Sequence, residues 1–293
     1  MPVEAYHRRM LAPMERVAPA DEILPGEGWL RSVADAAEEV DSRWRLRWRL
    51  RSVSLSNWLV DGDYASANVG VVAVVGLKFE ARIIARLNVR AVFIGSDLGS
   101  VGAALLPTDL GVISFGICGG LCPKLSPGSC IIASSVCDGD RVWPTDPVWT
   151  QNLARFIPDA VVAPILGVDA PVMEVAEKTR LHKSLGAVGV DTESHIAAFF
   201  AKLHGLPFVV VRAVADDARC NLLKIALAGR RPDGSVSVGN VLAGLRERPS
   251  DLGPLMQLAA KTNSARAALV RLRPVLARDF RGLSAKAARR GAA

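Results

Sequence analysis

The chain has 293 residues, 50% of them hydrophobic and 22% charged, which excludes wholesale disorder and supplies apolar side chain for one large core. Its formal charge of +7 is unevenly spread, with Arg and Lys concentrated after Arg246, so an anionic, phosphate-bearing surface is the expected partner for that end. The five cysteines (Cys118, Cys122, Cys130, Cys137, Cys220) form no CxxC pair and have no histidine at ligand spacing, so reduced thiols and no bound metal are expected. The opening MPVEAYHRRM lacks the apolar run of a signal peptide, and no stretch reaches the roughly 18 apolar residues that span a bilayer. A cytoplasmic location is the expectation.

Residues 1–67 read as an N-terminal extension, poorly ordered. Pro13, Pro19, Pro25 and Gly26 break any early helix, and Arg43 to Arg51 alternates basic and apolar residues (RWRLRWRLR). That period of two fits a strand or an arm lying on an anionic surface. From Asn68 the pattern becomes regular. Val69–Gly76 is an apolar, β-branched run ending in glycine, and Leu77–Arg82 begins a helix. Strands are expected at Val89–Ile94, Gly111–Phe115, Ser129–Val136 and Val161–Val168, with helices at Val148–Phe156 and Val175–Ser184. A glycine-rich loop, Gly116–Leu121, follows the third strand. After Gly239 the chain reads as a basic helical tail over residues 240–293, with Leu258, Leu269, Leu272 and Leu276 near helical spacing. Strands alternating with helices over residues 68–239 predict a three-layer α/β domain.

The stretch richest in chemistry runs from Ala187 to Ala218. An apolar run ends in Asp191-Thr192-Glu193-Ser194, a helix follows, and the buried strand Phe208–Val214, interrupted only by Arg212, runs into Asp216-Asp217. Acidic residues at strand ends lie where open α/β sheets place their ligand crevices. Asp191 and Ser194 suit a helix cap equally well, while Glu193 and Asp216 are the better site candidates. Gly76, Gly116 and Gly119 at strand ends permit close approach of a ligand to the backbone, yet their spacing matches no dinucleotide or Walker fingerprint.

The order Gly76…Glu80, VISFGICGGL (residues 112–121), DTES (residues 191–194) and VRAVADDA (residues 211–218) resembles the nucleoside phosphorylase and nucleosidase superfamily. GLKFEARI, GVDAPV, VGVDTESHIAA, HGLPF and the late RRPDGSVSV…VLAGL are similar to the hopanoid-associated phosphorylase group within it. The resemblance implies a phosphorylase-type domain with a central mixed, twisted sheet, no cofactor beyond inorganic phosphate as co-substrate, and a homo-oligomer. It implies cleavage of the N-glycosidic bond of adenosylhopane by phosphate, giving adenine and phosphoribosyl-hopane in hopanoid lipid biosynthesis.

By the same resemblance Asp216 is the catalytic acid at the purine N7, and Glu193, beside Thr192, accepts the ribose hydroxyls. Gly76, Arg82, Gly116 and Ile117 frame the phosphate or water, and Cys118, Gly119, Ala170 and Val172 contact the base. Glu80 stands where phosphorylases carry an Arg and hydrolytic nucleosidases a water-activating Glu, so hydrolysis of an adenine nucleoside with an apolar 5′ group is the alternative. Arg82 is the cation expected to compensate for Glu80 under phosphorolysis. A non-catalytic nucleoside- or lipid-binding protein is the third reading. A lipid substrate also suggests peripheral contact of the basic tail with the inner face of the membrane, against ordinary packing of that tail on the domain. No specific nucleic acid is expected.

Overall fold

A computed structural model describes residues 70–87, 89–94, 104–105, 109–222, 235 and 237–291. The N-terminal extension with its Arg43–Arg51 alternation, the glycine-containing segment 95–102 and most of RRPDGSVSV lie outside the described residues.

Among the described residues, eight strands form one mixed sheet: β1 (Val71–Val75), β2 (Arg90–Phe93), β3 (Gly111–Gly120), β4 (Cys130–Asp138), β5 (Arg141–Pro144), β6 (Val161–Gly167), β7 (Gly189–Asp191) and β8 (Phe208–Asp216). Their order is β2-β1-β3-β7-β6-β4-β5, with β8 pairing to both β3 and β4. The pairings β3–β7–β6–β4–β8–β3 return to their start, so five of the strands close on themselves. β1, β3 and β8 run parallel, which brings their C-terminal ends to one rim. The VVAVV of β1 and the FVVVRAVA of β8 are buried along their length, as β-branched runs covered on both faces are.

Side-chain alternation sorts the two faces. Ala73, Ile113, Phe115, Val209 and Val211 join one core with Trp149 and Leu153 of α2 (Pro147–Phe156) and with Leu269, Leu272 and Phe280 of a 40-residue helix, α6 (Leu252–Gly291). α1 (Lys78–Ile84) packs on the same side through Ala81, Ile83 and Ile84. On the opposite face, α4 (Ser194–Leu203) lies against β3, β4, β6 and β8, and its first eight residues are all buried. α3 (Val175–Leu185) ends at Gly186, whose φ of 66° is the left-handed cap that glycine adopts without strain. α5 (Val238–Glu247) is capped by Ser237 and leads into α6.

The glycine-rich stretch departs from expectation. It is no loop: β3 continues through Gly116 to Gly120. Its backbone pairs with β8 as far as Gly119 opposite Asp216, with a register shift at Cys118/Gly119, and with β7 at Gly119 and Gly120. Partners on both sides satisfy the backbone of a segment whose side chains supply little strand preference.

Candidate functional site

The rim where β1, β3, β7 and β8 end holds a cavity of about 190 Å³. Of the residues singled out from the sequence, Gly76, Glu80, Ile117, Cys118, Gly119, Val172, Thr192, Glu193 and Asp216 all line it. Leu77, Val168, Pro171, Leu222 and Leu258 add apolar wall.

Glu80 sits in the first turn of α1 and is 1% exposed. One carboxylate oxygen accepts hydrogen bonds from the Gly76 and Leu77 amides at 3.0 and 2.8 Å. The other accepts from the Ile117 amide at 2.8 Å. Three backbone donors that form an anion-binding nest are thus filled by a carboxylate of the chain itself. Burial, reinforced by the neighbouring Glu193 carboxylate, pushes Glu80 up to about 7 against the opposing pull of Arg212 and the amides. A carboxyl that exchanges its proton near neutrality suits general-base work.

Between β7 and α4, Asp191 lines the cavity and also holds the local structure. Its side chain accepts from the Glu193 and Ser194 amides at 3.0 and 2.8 Å and from the Ser194 hydroxyl at 2.6 Å, fixing the start of α4. Its other contact is Arg212, fully buried on β8, with Nε 2.8 Å from the Asp191 carboxylate. An Arg212 amino group lies 3.4 Å from Glu193 and donates to Ser114 at 2.7 Å. Burial alone would lower the Arg212 pKa, but Asp191, Glu193 and Glu80 outweigh it and hold the guanidinium charged. The Thr192 hydroxyl donates to Glu193 at 2.5 Å, so Thr192 orients the carboxylate that reaches the cavity. Arg212 therefore faces three carboxylates, which leaves this end of the site short of positive charge.

Asp216 closes β8 at the opposite wall. Burial raises its pKa, and the Lys178 ammonium pulls part of that back. Lys178, on α3, is fully buried and bonds the Asp216 carboxylate. Asp217 does not line the cavity. It pairs instead with Lys261 of α6 at 3.1 Å, and despite partial burial Lys261 and the Arg219 amide hold it below the usual carboxylate range.

Three expected site residues, Arg82, Ala170 and Gly116, do not line the cavity. Arg82 is exposed: two residues beyond Glu80 on α1 it is turned about 200° around the axis, onto the solvent face, so it cannot compensate for Glu80. Ala170 is likewise exposed, in the turn after β6, and its neighbours Val168, Pro171 and Val172 form the wall. Gly116 lies beneath the cavity, where a Cβ would come within 2.4 Å of Glu80 and 2.6 Å of Arg212. It is glycine because these two side chains occupy the space. His182 and His204 are half-buried. His182 bonds the Ala187 carbonyl at 2.7 Å, and burial lowers His204. Lys178 and Thr262 are residues of this region that no sequence pattern singles out, and the helical spacing that picks out Leu258 does not assign it to the site.

A family model described as "Phosphorylase superfamily" matches residues 64–227, more than half of the chain. No curated protein matches it. Among solved structures, the 5′-methylthioadenosine/S-adenosylhomocysteine nucleosidase of Helicobacter pylori aligns over 75% of this chain and 99% of its own, with 13% identity and a TM-score of 0.50. Futalosine hydrolase of Helicobacter pylori strain 26695 aligns over 53% and 88%, with 17% identity and a TM-score of 0.45. At 13% identity the likeness to the nucleosidase speaks to the fold alone.

Proposed function

The chain belongs to the phosphorylase superfamily, enzymes that cleave the N-glycosidic bond of nucleosides, and from that premise we propose that it releases adenine from an adenosine whose 5′ position carries a large apolar group, an adenosylhopane-like lipid nucleoside, using water as the nucleophile. The observation that carries the choice of water is the Glu80 carboxylate seated on the Gly76, Leu77 and Ile117 amides. A phosphate would need those donors, and it would enter beside Glu193 with Arg82 turned away. Both features disfavour an anion.

In this reading Glu80 takes a proton from the attacking water, and Glu193 accepts the ribose hydroxyls. Positive charge that develops on the ribose ring lies near the Glu193 and Glu80 carboxylates. Asp216 gives a proton to the purine N7, so adenine departs neutral. Leu77, Val168, Val172, Leu222 and Leu258 suit an apolar 5′ substituent. The likeness to the hopanoid-associated group supports the lipid, and under phosphorolysis the same site yields a phosphoribosyl product instead.

The deciding experiment measures adenine release from adenosylhopane, or a 5′-alkyl adenosine, with and without phosphate in ¹⁸O-water. Equal rates and label at the ribose anomeric carbon support hydrolysis. A rate that requires phosphate, with a phosphorylated sugar product, overturns it. Binding of the nucleoside without turnover would favour a sensor. Homo-oligomerisation and a peripheral lipid contact belong to the same proposal. The outer face of α6 presents Arg266, Arg271, Arg278 and Arg281, and no helix among the described residues is long and apolar enough to cross a membrane. Co-sedimentation with anionic liposomes tests that contact, and an unbound protein rejects it.

A further inference from the structure

A buried lysine is costly unless every one of its protons is bonded and its charge is matched. Lys178 meets both conditions at one place. Its Nζ donates to the Asp216 carboxylate, to the Asp217 carbonyl at 3.2 Å and to the Cys220 carbonyl at 3.0 Å, and its side chain is 0% exposed. All three N–H donors are used, and none is left for a ligand. Lys178 therefore does not contact the base, and whatever it contributes passes through Asp216.

The geometry divides the two oxygens of that carboxylate. Oδ2 is the one bonded to Lys178. Oδ1 accepts no hydrogen bond among the described residues and lies over Gly119, where a Cβ would come within 3.2 Å of it. Gly119 lines the cavity, so the unbonded oxygen is the one presented to a ligand. The two carbonyls that share Lys178 belong to Asp217 and Cys220, in the turn that directly follows β8. The same ammonium thus fixes the backbone beyond Asp216 as well as its side chain.

We propose that Lys178 is the positioning residue of the leaving-group acid: it presents Asp216 Oδ1 to the departing base and matches the negative charge left on the carboxylate when its proton is given up. This rests on the proposed cleavage of an adenine nucleoside. In that step the proton on Oδ1 moves to the purine N7. The bond from the ribose anomeric carbon to N9 breaks with its electron pair remaining on the base. The new Asp216 carboxylate is held against Lys178 and regains a proton from solvent after adenine leaves. An opposite charge within bonding distance strengthens an acid by about 10- to 1,000-fold in its dissociation constant, so removing it slows steps that need the proton and spares steps that do not.

Lys178→Gln keeps two N–H donors for the carbonyls and removes the charge. Its turnover is measured on two substrates with the same 5′ group, an adenine nucleoside and a 4-nitrophenyl riboside, whose leaving group departs without a proton. The expected result is a loss of at least about tenfold on the nucleoside and less than about threefold on the nitrophenyl substrate. In an Asp216→Asn background the substitution should cost less than about threefold further on the nucleoside, because the group it acts through is gone. Equal losses on both substrates, or losses that multiply with Asp216→Asn, make Lys178 merely structural and overturn the proposal.

If Lys178→Gln alone does not fold, the double variant with Asp216→Asn, which buries neither charge, takes its place on the nitrophenyl substrate. Near-wild-type turnover then supports the positioning role, and a loss as large as on the nucleoside, or failure of this variant to fold, overturns it. Wild-type protein that releases no adenine overturns the proposed function and this inference together. Equal losses measured against an active wild type overturn this inference alone.

Discussion

Replacing Glu80 by glutamine changes one atom of the site and little of its shape, so the consequences follow from charge and hydrogen bonding. The carboxylate holds three amides. A glutamine oxygen placed at the Gly76 and Leu77 amides keeps two of these bonds and turns its NH₂ toward the Ile117 N–H, a buried mismatch that costs about 1–3 kcal/mol. Against this stands the charge. Glu80 lies at about 7 in the folded protein and 4.5 as a free side chain, a difference equivalent to roughly 3 kcal/mol. Because the folded value is the higher one, that contribution to stability is complete below 4.5 and is lost as the pH rises through about 7. Above pH 7 the variant escapes the penalty of a buried anion, and the two effects nearly cancel. Glu80→Gln should therefore stay folded, by an unchanged denaturant midpoint at pH 8, while adenine release measured chromatographically falls by about 100- to 10,000-fold for want of the base. The wild type should itself lose about tenfold in rate for each pH unit below about 7, as Glu80 takes up its proton. Turnover of Glu80→Gln within threefold of wild type would refute the assignment.

Asp216→Asn removes the proton donor without changing size. Adenine release should fall about 100- to 10,000-fold while calorimetry finds nucleoside affinity within a few-fold, and lost affinity would point to a binding role instead. Glu193→Gln weakens acceptance of the ribose hydroxyls, each such charged bond being worth about 1.5–3 kcal/mol. Its kcat/KM should drop at least tenfold on the ribonucleoside and far less on the 2′-deoxy analogue, and equal drops on both would disprove the contact. Leu269, fully buried in the core from α6, should cost about 2–5 kcal/mol on replacement by alanine, read as a lower denaturant midpoint. A helix serving only as a membrane anchor would leave that midpoint unmoved.

Much of the site was legible because strand ends announce themselves. Glu193 and Asp216 close apolar runs, Gly76 ends another, and all three line the cavity. Side-chain periodicity was silent where the backbone decides. GICGG offers few side chains to pack and reads as a loop, yet β7 and β8 pair with it from both sides. Arg82 was misplaced for the reverse reason, since helical geometry alone turns it away from Glu80 once α1 is known to begin at Lys78. Asp191 divided evenly between cap and site. Arg212 accounts for its structural part, because a fully buried guanidinium on β8 requires a carboxylate there. Lys178 had no signal at all. It sits among the polar Glu177, Thr179 and Arg180, and its burial depends on a turn more than thirty residues away in sequence. The inner stripe of α6 was predictable from Leu269, Leu272 and Leu276. That Leu258 and Thr262 would reach the cavity was not, because periodicity defines a face without saying what it meets.

The adjacent aspartates show how the fold separates roles that sequence leaves tangled. Asp216 and Asp217 are neighbours of identical chemistry, and each has its own lysine from a different helix: Lys178 of α3 for the first, Lys261 of α6 for the second. The outcomes are opposite. Asp216 is buried enough that its pKa rises despite its lysine, whereas Asp217, with about a quarter of its side chain exposed, is held low by Lys261 and the Arg219 amide. Environments that drive like groups apart in this way mark which one can hold a proton to give and which stays a structural anion. The anion ties the turn after β8 to α6, and α6 is itself part of the core. The acid's backbone is thereby anchored to a helix that itself lines the cavity, while its oxygen faces the cavity. A helix near the chain's C-terminus thus acts on a reaction it touches only through Leu258 and Thr262, and Lys261→Ala should loosen the acid's turn and slow adenine release without altering the pH at which Glu80 gains its proton. A shift in that pH would mean instead that the turn and the Glu80 nest are coupled.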